Sequence, residues 1–255
     1  MMGTPNLSLE GQVAIVTGGG TGIGRGIALE FAKAGADVVV ASRRLSVLEK
    51  VGEEVTALGR RSLAVQTDIS RKTDVDNLVR RVMGEFGTID ILVNNAVIFT
   101  RTPVMEISED DWDKTFDVNL KGYYLCSQAV GRGMIERRKG SIINVASTAG
   151  FRVGPTNSTI YSIAKAGVIM LSRGLARELG SYNVRVNTIA PGPVRVERGR
   201  SLWSNPERLK QEEARMPLGR MGEPSDIGSV AVFLASDASS YMTGSTIVVD
   251  GGLLA

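Results

Sequence analysis

The chain has 255 residues, 43% of them hydrophobic, which is enough for one α/β domain with a large core. It has no histidine and one cysteine, Cys126, which excludes an intrachain disulfide and a Ser–His–Asp triad and argues against a structural zinc site, so no metal is expected. The net charge is only +3, with no basic stripe interleaved with aromatics, which argues against nucleic acid as a partner. The leading MMGTPNLSLEGQ is polar, and no apolar run reaches the ~20 residues that span a bilayer. The expectation is a soluble, cytoplasmic protein with no membrane contact.

Short β-branched runs alternate with helical spacing along the chain. QVAIVT (12–17) reads as a strand and Gly22–Ala34 as the helix after it. DVVVAS (37–42) precedes a helix over Leu45–Leu58, and SLAVQT (62–67) precedes one over Thr73–Phe86. IDILVN (89–94) is followed by a long helical pattern, Glu109–Arg137, whose basic end Arg137, Arg138 and Lys139 suits the negative end of a helix dipole. SIINVAS (141–147), a helix over Ile160–Leu179, VRVNTIA (184–190), a helix over Pro224–Ala235 and STIVVD (245–250) complete the alternation. Near-continuous apolar strands fit parallel strands covered on both faces. The pattern predicts a single α/β domain over 1–255, a doubly wound parallel sheet of about seven strands flanked by helices. Segment 191–222 mixes Pro, Gly and charged helix formers after a strand end. Such sheets bind ligands there, so a mobile substrate lid is expected over about 191–222.

The stretch TGGGTGIG (17–24) leaves the first strand and enters the first helix. Gly18, Gly22 and Gly24 permit a tight turn, and they also let main-chain N–H groups approach a pyrophosphate at a helix N-terminus. The strand end that would select the dinucleotide reads VVVASRR. Ser42 stands where an acid would favour NAD, and Arg43 follows, suited to a 2′-phosphate. Arg43 and Arg44 could instead be a solvated helix start, but cations at a helix N-terminus are unfavourable without an anion. NADP is therefore expected ahead of NAD.

In YSIAK (161–165), Tyr161 and Lys165 lie one helical turn apart on one face. A phenol ordinarily titrates near ~10, and an adjacent ammonium stabilises the phenolate. The pair can then exchange a proton with an alcohol or carbonyl oxygen, work often given to histidine. A core tyrosine beside a solvated lysine would leave the same trace.

Taken together, TGGGTGIG, NNA (94–96), Asn119, Ser147, YSIAK and PG (191–192) resemble the short-chain dehydrogenase/reductase family from about Gln12 to Gly252. The likeness is greatest to the one-domain branch with 3-oxoacyl-carrier-protein reductases and glucose dehydrogenases. It implies a Rossmann fold and hydride transfer between a nicotinamide, by its pro-S hydride, and a carbonyl or secondary alcohol. It implies Tyr161 as general acid/base, Ser147 bonding the substrate oxygen and Lys165 holding the nicotinamide ribose. Asn119 would hold a helix irregularity and a water reaching Lys165. Cofactor contacts are implied for Gly18, Gly20, Thr21, Gly22, Ile23 and Gly24. They are also implied for Ser42 and Arg43, Asp68 and Ile69 at the adenine, Asn94 and Ala96, and Pro191, Gly192 and Val194 at the nicotinamide. Tyr161 and Lys165 would also touch the cofactor. Asp68 could instead cap the helix after it, Ser147 could be a buried serine bonded to backbone, and Asn119 could be a surface residue. A homotetramer built on the two long helices and the last strand is also implied; the apolar 166–176 stretch could serve it or the core.

Four features depart from the family pattern. Val97 stands where NNAG is common, Arg195 and Val196 stand where a threonine often follows PGPV, and Thr21 stands where NADP users often carry a basic residue. Ser147 and Tyr161 are fourteen apart, one more than in the acyl-carrier reductases. Two alternatives follow: a 3-oxoacyl-thioester reductase using Arg195, Arg198 and Arg200 toward a carrier protein or coenzyme A, and a weakly catalytic redox sensor.

Overall fold

All seven strands of the computed structural model are parallel and lie in one sheet, ordered β3-β2-β1-β4-β5-β6-β7. They are β1 (Val13–Thr17), β2 (Asp37–Ser42), β3 (Ser62–Gln66), β4 (Ile91–Asn94), β5 (Gly140–Val145), β6 (Val184–Pro191) and β7 (Thr246–Val249). The structure describes residues 6–154, 157–200 and 204–255. β1 and β4 are buried along their whole length, which is why they read as apolar runs rather than as alternating ones.

Alternate strand residues feed two separate cores. Ala14 and Val16 meet α1 (Gly22–Lys33), α2 (Leu45–Ala57) and α8 (Pro224–Ala235) on one face. Val13 and Ile15 meet α3 (Lys72–Phe86), α5 (Gly122–Arg137) and α6 (Thr159–Leu179) on the other. Helices on both faces make this the Rossmann-type doubly wound sheet expected from the sequence. Helix α1 packs tightly on α8 because Gly26 has no side chain: a Cβ there would lie 2.5 Å from the Pro224 ring.

The long helix expected over Glu109–Arg137 is interrupted. α4 (Glu109–Phe116) gives way to one π-helical turn, Asp117–Lys121, before α5 begins. The strand expected over 141–147 ends at Val145, so Ser147 lies in the turn beyond it. Other ends shift by a residue or two, the usual ambiguity of frayed termini.

Segment 191–222 is an excursion whose two ends are fastened together. Arg195 N–H donates to the Gly222 carbonyl (2.8 Å), and Gly222 N–H donates to that of Pro193 (3.0 Å). Between them lie a 3₁₀ turn at Glu197–Gly199 and helix α7 (Pro206–Glu213), started by an Asn205 cap. Residues 201–203 of the expected lid, and 155–156 in the turn before α6, lie outside the described residues. Among the described residues, no helix is long and apolar enough to cross a membrane.

Candidate functional site

β1 pairs with β2 on one side and β4 on the other, so successive crossovers diverge there and open a crevice at the strands' carboxyl ends. Thr17 stitches it: its hydroxyl donates to the Val93 carbonyl (3.2 Å) and accepts from Asn95 N–H (3.0 Å). The chain then turns at Gly18, whose φ of +65° is the left-handed region open to glycine. A side chain on Gly24 is barred by packing, since its Cβ would lie 2.2 Å from the Gly18 carbonyl oxygen. The glycines thus let the loop fold onto itself and onto Ala96.

Helix α1 starts in this crevice without protection. Thr21 makes no side-chain cap and the first turn holds no acid. α4 is capped by Ser108, α7 by Asn205 and α8 by a Glu223–Asp226 capping box, while α2, α3 and α6, like α1, have no side-chain cap. An uncapped N-terminus presents backbone N–H groups and the positive end of the helix dipole to an anion.

A cavity of about 420 Å³ runs outward from the loop. Gly18, Gly20 and Thr21 form its floor, Ser42, Arg43 and Arg44 follow β2, and Asp68 and Ile69 follow β3. Arg44 is the N-cap residue of α2, again with no side-chain cap and no acid in the first turn. Partial burial raises the Asp68 pKa. Two hydrogen bonds from Ser70 and the nearby Arg43 and Arg71 guanidiniums outweigh that and hold the carboxyl below its ordinary value. Arg71, not Asp68, occupies the N-cap position of α3, so the helix-cap alternative for Asp68 does not hold.

The second part of the crevice holds Ser147, Tyr161 and Lys165. Ser147 starts a short 3₁₀ turn, its hydroxyl accepting from Ala149 N–H (3.1 Å). Tyr161 and Lys165 come from the first turns of α6. Lys165 is 1% exposed, and its ammonium donates to the Val145 carbonyl (2.7 Å) and to the Tyr123 hydroxyl (3.2 Å). It lies 5.8 Å from the centre of the Tyr161 ring. A smaller cavity of about 220 Å³ contains Ser147, Tyr161 and Lys165 together with Ile23, Pro191, Gly192 and Val194. A third cavity, bounded by Gly22, Gly24 and Val196, shares walls with both, so one trough leads from Arg43 to Tyr161. Val97 borders every part of that trough.

Asn119 lies on the π-helical turn, fully buried. Its side-chain amide pairs with both backbone groups of Ile98, donating to the carbonyl and accepting from the N–H at 2.9 Å each. The irregularity therefore fastens α4 and α5 to the chain after β4. Asn94 does not reach the crevice: its amide is buried against Asn144 (2.8 Å) and Ser127 (3.0 Å), because the strand pleat turns it inward. The neighbouring Asn95 and Ala96 line the trough instead. Arg195 is also turned away, paired to Glu213 (2.7 Å) and Glu223 (3.6 Å).

Tyr123 was not singled out by the sequence. It is fully buried, its hydroxyl donating to Val145 O (3.2 Å) while accepting from Lys165. Burial, then the neighbouring Tyr161 and Cys126, push its phenol well above its ordinary pKa, so it stays neutral. The available signal was its place one turn after Asn119 on the same helix face.

Residues 18–254 match the family described as enoyl-(acyl carrier protein) reductase. The chain belongs to this family, within the short-chain dehydrogenases/reductases, and is an NAD(P)-dependent oxidoreductase acting on carbonyl and alcohol groups. It is 42% identical over 251 residues, 97% of both chains, to 2-dehydro-3-deoxy-D-gluconate 5-dehydrogenase of Escherichia coli. It is 43% identical over 250 residues, 97% of this chain and 99% of the other, to a 3-oxoacyl-[acyl-carrier-protein] reductase of Chlamydia pneumoniae. Its fold overlays that of a Burkholderia cenocepacia gluconate 5-dehydrogenase in complex with NADP and tartrate, with a TM-score of 0.92 and 33% identity over 98% of each chain.

Replacing Asn119 by leucine, of nearly the same shape, leaves both Ile98 backbone groups unpaired. The expected cost is on the order of 2 kcal/mol, read as a lower urea midpoint. An unchanged midpoint would mean that the π-helical turn is held by something else.

Proposed function

We propose that the protein is an NADP(H)-dependent carbonyl reductase or alcohol dehydrogenase in which Tyr161 carries the proton. The observation behind this reading is the trough, which joins an uncapped helix N-terminus and a pair of arginines at one end to Tyr161, Lys165 and Ser147 at the other. The N–H groups of α1 suit a pyrophosphate, and Ser42 and Arg43 suit an adenosine 2′-phosphate. Asp68 and Ile69 suit the adenine, and Ile23, Pro191, Gly192 and Val194 suit the nicotinamide. Relatives of known structure were solved with NADP bound, which supports the phosphate-bearing cofactor.

When bound, the nicotinamide donates or accepts the hydride. Ser147 holds the substrate oxygen by a hydrogen bond. In the oxidative direction the Tyr161 phenolate takes the hydroxyl proton as hydride leaves the same carbon; in reduction the phenol returns that proton to the carbonyl oxygen. The Lys165 ammonium favours the phenolate. Asn119 keeps the helix beside it open through its grip on Ile98. The excursion between Pro193 and Gly222 acts as the site's cover, with Val196 packed beside Gly22.

The reading as a thioester reductase is supported by the carrier-protein relatives. Of its three arginines, Arg195 is already paired to acids, which leaves it a weaker anchor for a carrier. We assign a homotetramer in the cytoplasm. The exposed Tyr124 of α5 and Met170 of α6, the latter 63% exposed, supply apolar surface for such an assembly.

Tyr161→Phe removes the proton carrier and keeps the ring. Turnover is expected to fall by about 10²- to 10⁴-fold with NADPH binding kept. Turnover equal to that of the parent would contradict the assignment and favour another acid.

A further inference from the structure

On the far side of Ser147 and Tyr161 from the cofactor trough lies a cavity of about 470 Å³. Its walls carry three arginines and one glutamate: Arg101, Arg152, Arg215 and Glu212. Arg215 is already neutralised, donating to both Glu212 oxygens (2.8 and 2.7 Å). Arg101 and Arg152 have no ion pair among the described residues. Arg101 is exposed and has an aromatic neighbour. Its guanidinium lies 5.3 Å over the Phe99 ring, and Phe99 packs on Tyr161 with ring centres 4.7 Å apart. One aromatic ring therefore separates this cation from the phenol proposed to exchange the substrate proton. Uncompensated cations on a concave wall focus positive potential into it, and a guanidinium matches a carboxylate in shape.

We propose that the substrate is a small hydroxy or oxo acid whose carboxylate is held by Arg101 and Arg152, a few bonds from the reacting carbon; this rests on the oxidoreductase reading above. The short reach from Tyr161 to Arg101 favours a carboxylate on the substrate itself over a phosphate at the end of a long thioester arm. The test compares matched pairs, each a hydroxy acid and its methyl ester, with a coenzyme A thioester of the same acid. A charged hydrogen bond predicts at least about a tenfold advantage in kcat/KM for the acid. That advantage should shrink with added salt and collapse in the Arg101→Gln/Arg152→Gln double variant, with NADPH binding reporting that the variant is folded. An ester or thioester that equals the acid, or an advantage that survives both substitutions, would overturn the proposal. If neutral alcohols alone were turned over, the anion site would fall and the oxidoreductase reading would stand. Turnover of no alcohol or carbonyl would remove both.

A second inference rests on a separate observation, the buried contact between Lys165 and Tyr123. The geometry points to Tyr123 as a positioning residue: its hydroxyl steadies the Lys165 ammonium beside Tyr161. Tyr123→Phe removes that hydroxyl and keeps the volume. With the ammonium less firmly placed, the phenolate of Tyr161 is stabilised less, so the rise of oxidative kcat with pH should move upward by up to about one pH unit. NADPH affinity serves as the folding check. A fall in kcat with the pH limb unmoved, or a downward shift, would mean that Tyr123 only fills space.

Discussion

A buried ammonium needs partners, and the arrangement that satisfies Lys165 organises the whole reactive end of the crevice. Removing a charge from water costs several kcal/mol unless hydrogen bonds replace the solvent. The Val145 carbonyl meets that need at the point where β5 ends and its ladder stops. Tyr123 from α5 donates to the same carbonyl and accepts from the same ammonium. Three elements far apart in the chain therefore converge on one oxygen atom. That convergence fixes Lys165 relative to Ser147, two residues past Val145, and relative to Tyr161, one turn before it on α6. In a chain without histidine, this cation beside a phenol is the pair proposed for the acid–base chemistry.

The other end of the crevice depends on a different constraint, the divergence of crossovers at β1 and β4. It leaves the first helix starting in open space, and the loop that leads into it folds on its own glycines. The N-terminus of α1 has no side-chain cap and no first-turn acid, and it opens at the crevice, which suits an anion there. The two ends are useful only because Val97, Val196 and Ile23 line a continuous path between them. The cavity beyond Tyr161 carries Arg101 and Arg152, which have no ion pair among the described residues, so the proposed reading gives the molecule separate sites for two anionic ligands. In the proposed reading a 2′-phosphate would meet Arg43, and a substrate acid would meet Arg101 and Arg152.

Most of the fold was legible because its signals are local. The β-branched apolar runs bounded by turn residues fit buried strands, and the glycine turn follows the first of them directly. Periodicity alone ran one helix through Glu109–Arg137, and only the family resemblance placed an irregularity at Asn119, where the π-helical turn lies. Asn94 was misplaced because adjacent strand residues point to opposite faces, and NNA alone does not say which asparagine faces the crevice. Tyr123 was missed because its contact with Lys165 spans 42 residues and exists only through the topology. Arg101 and Arg152 follow the same rule: that neither has an acidic partner among the described residues is a property of the folded surface, not of the sequence around them.

The most direct measurement is a fluorescence titration of the purified protein with NADPH and then with NADH. The geometry at Ser42, Arg43 and α1 predicts saturable binding of both, with NADPH tighter by at least about tenfold, the worth of one charged hydrogen bond set. Equal affinity, or a preference for NADH, would contradict the 2′-phosphate site. Binding of neither would contradict the trough as a dinucleotide site altogether.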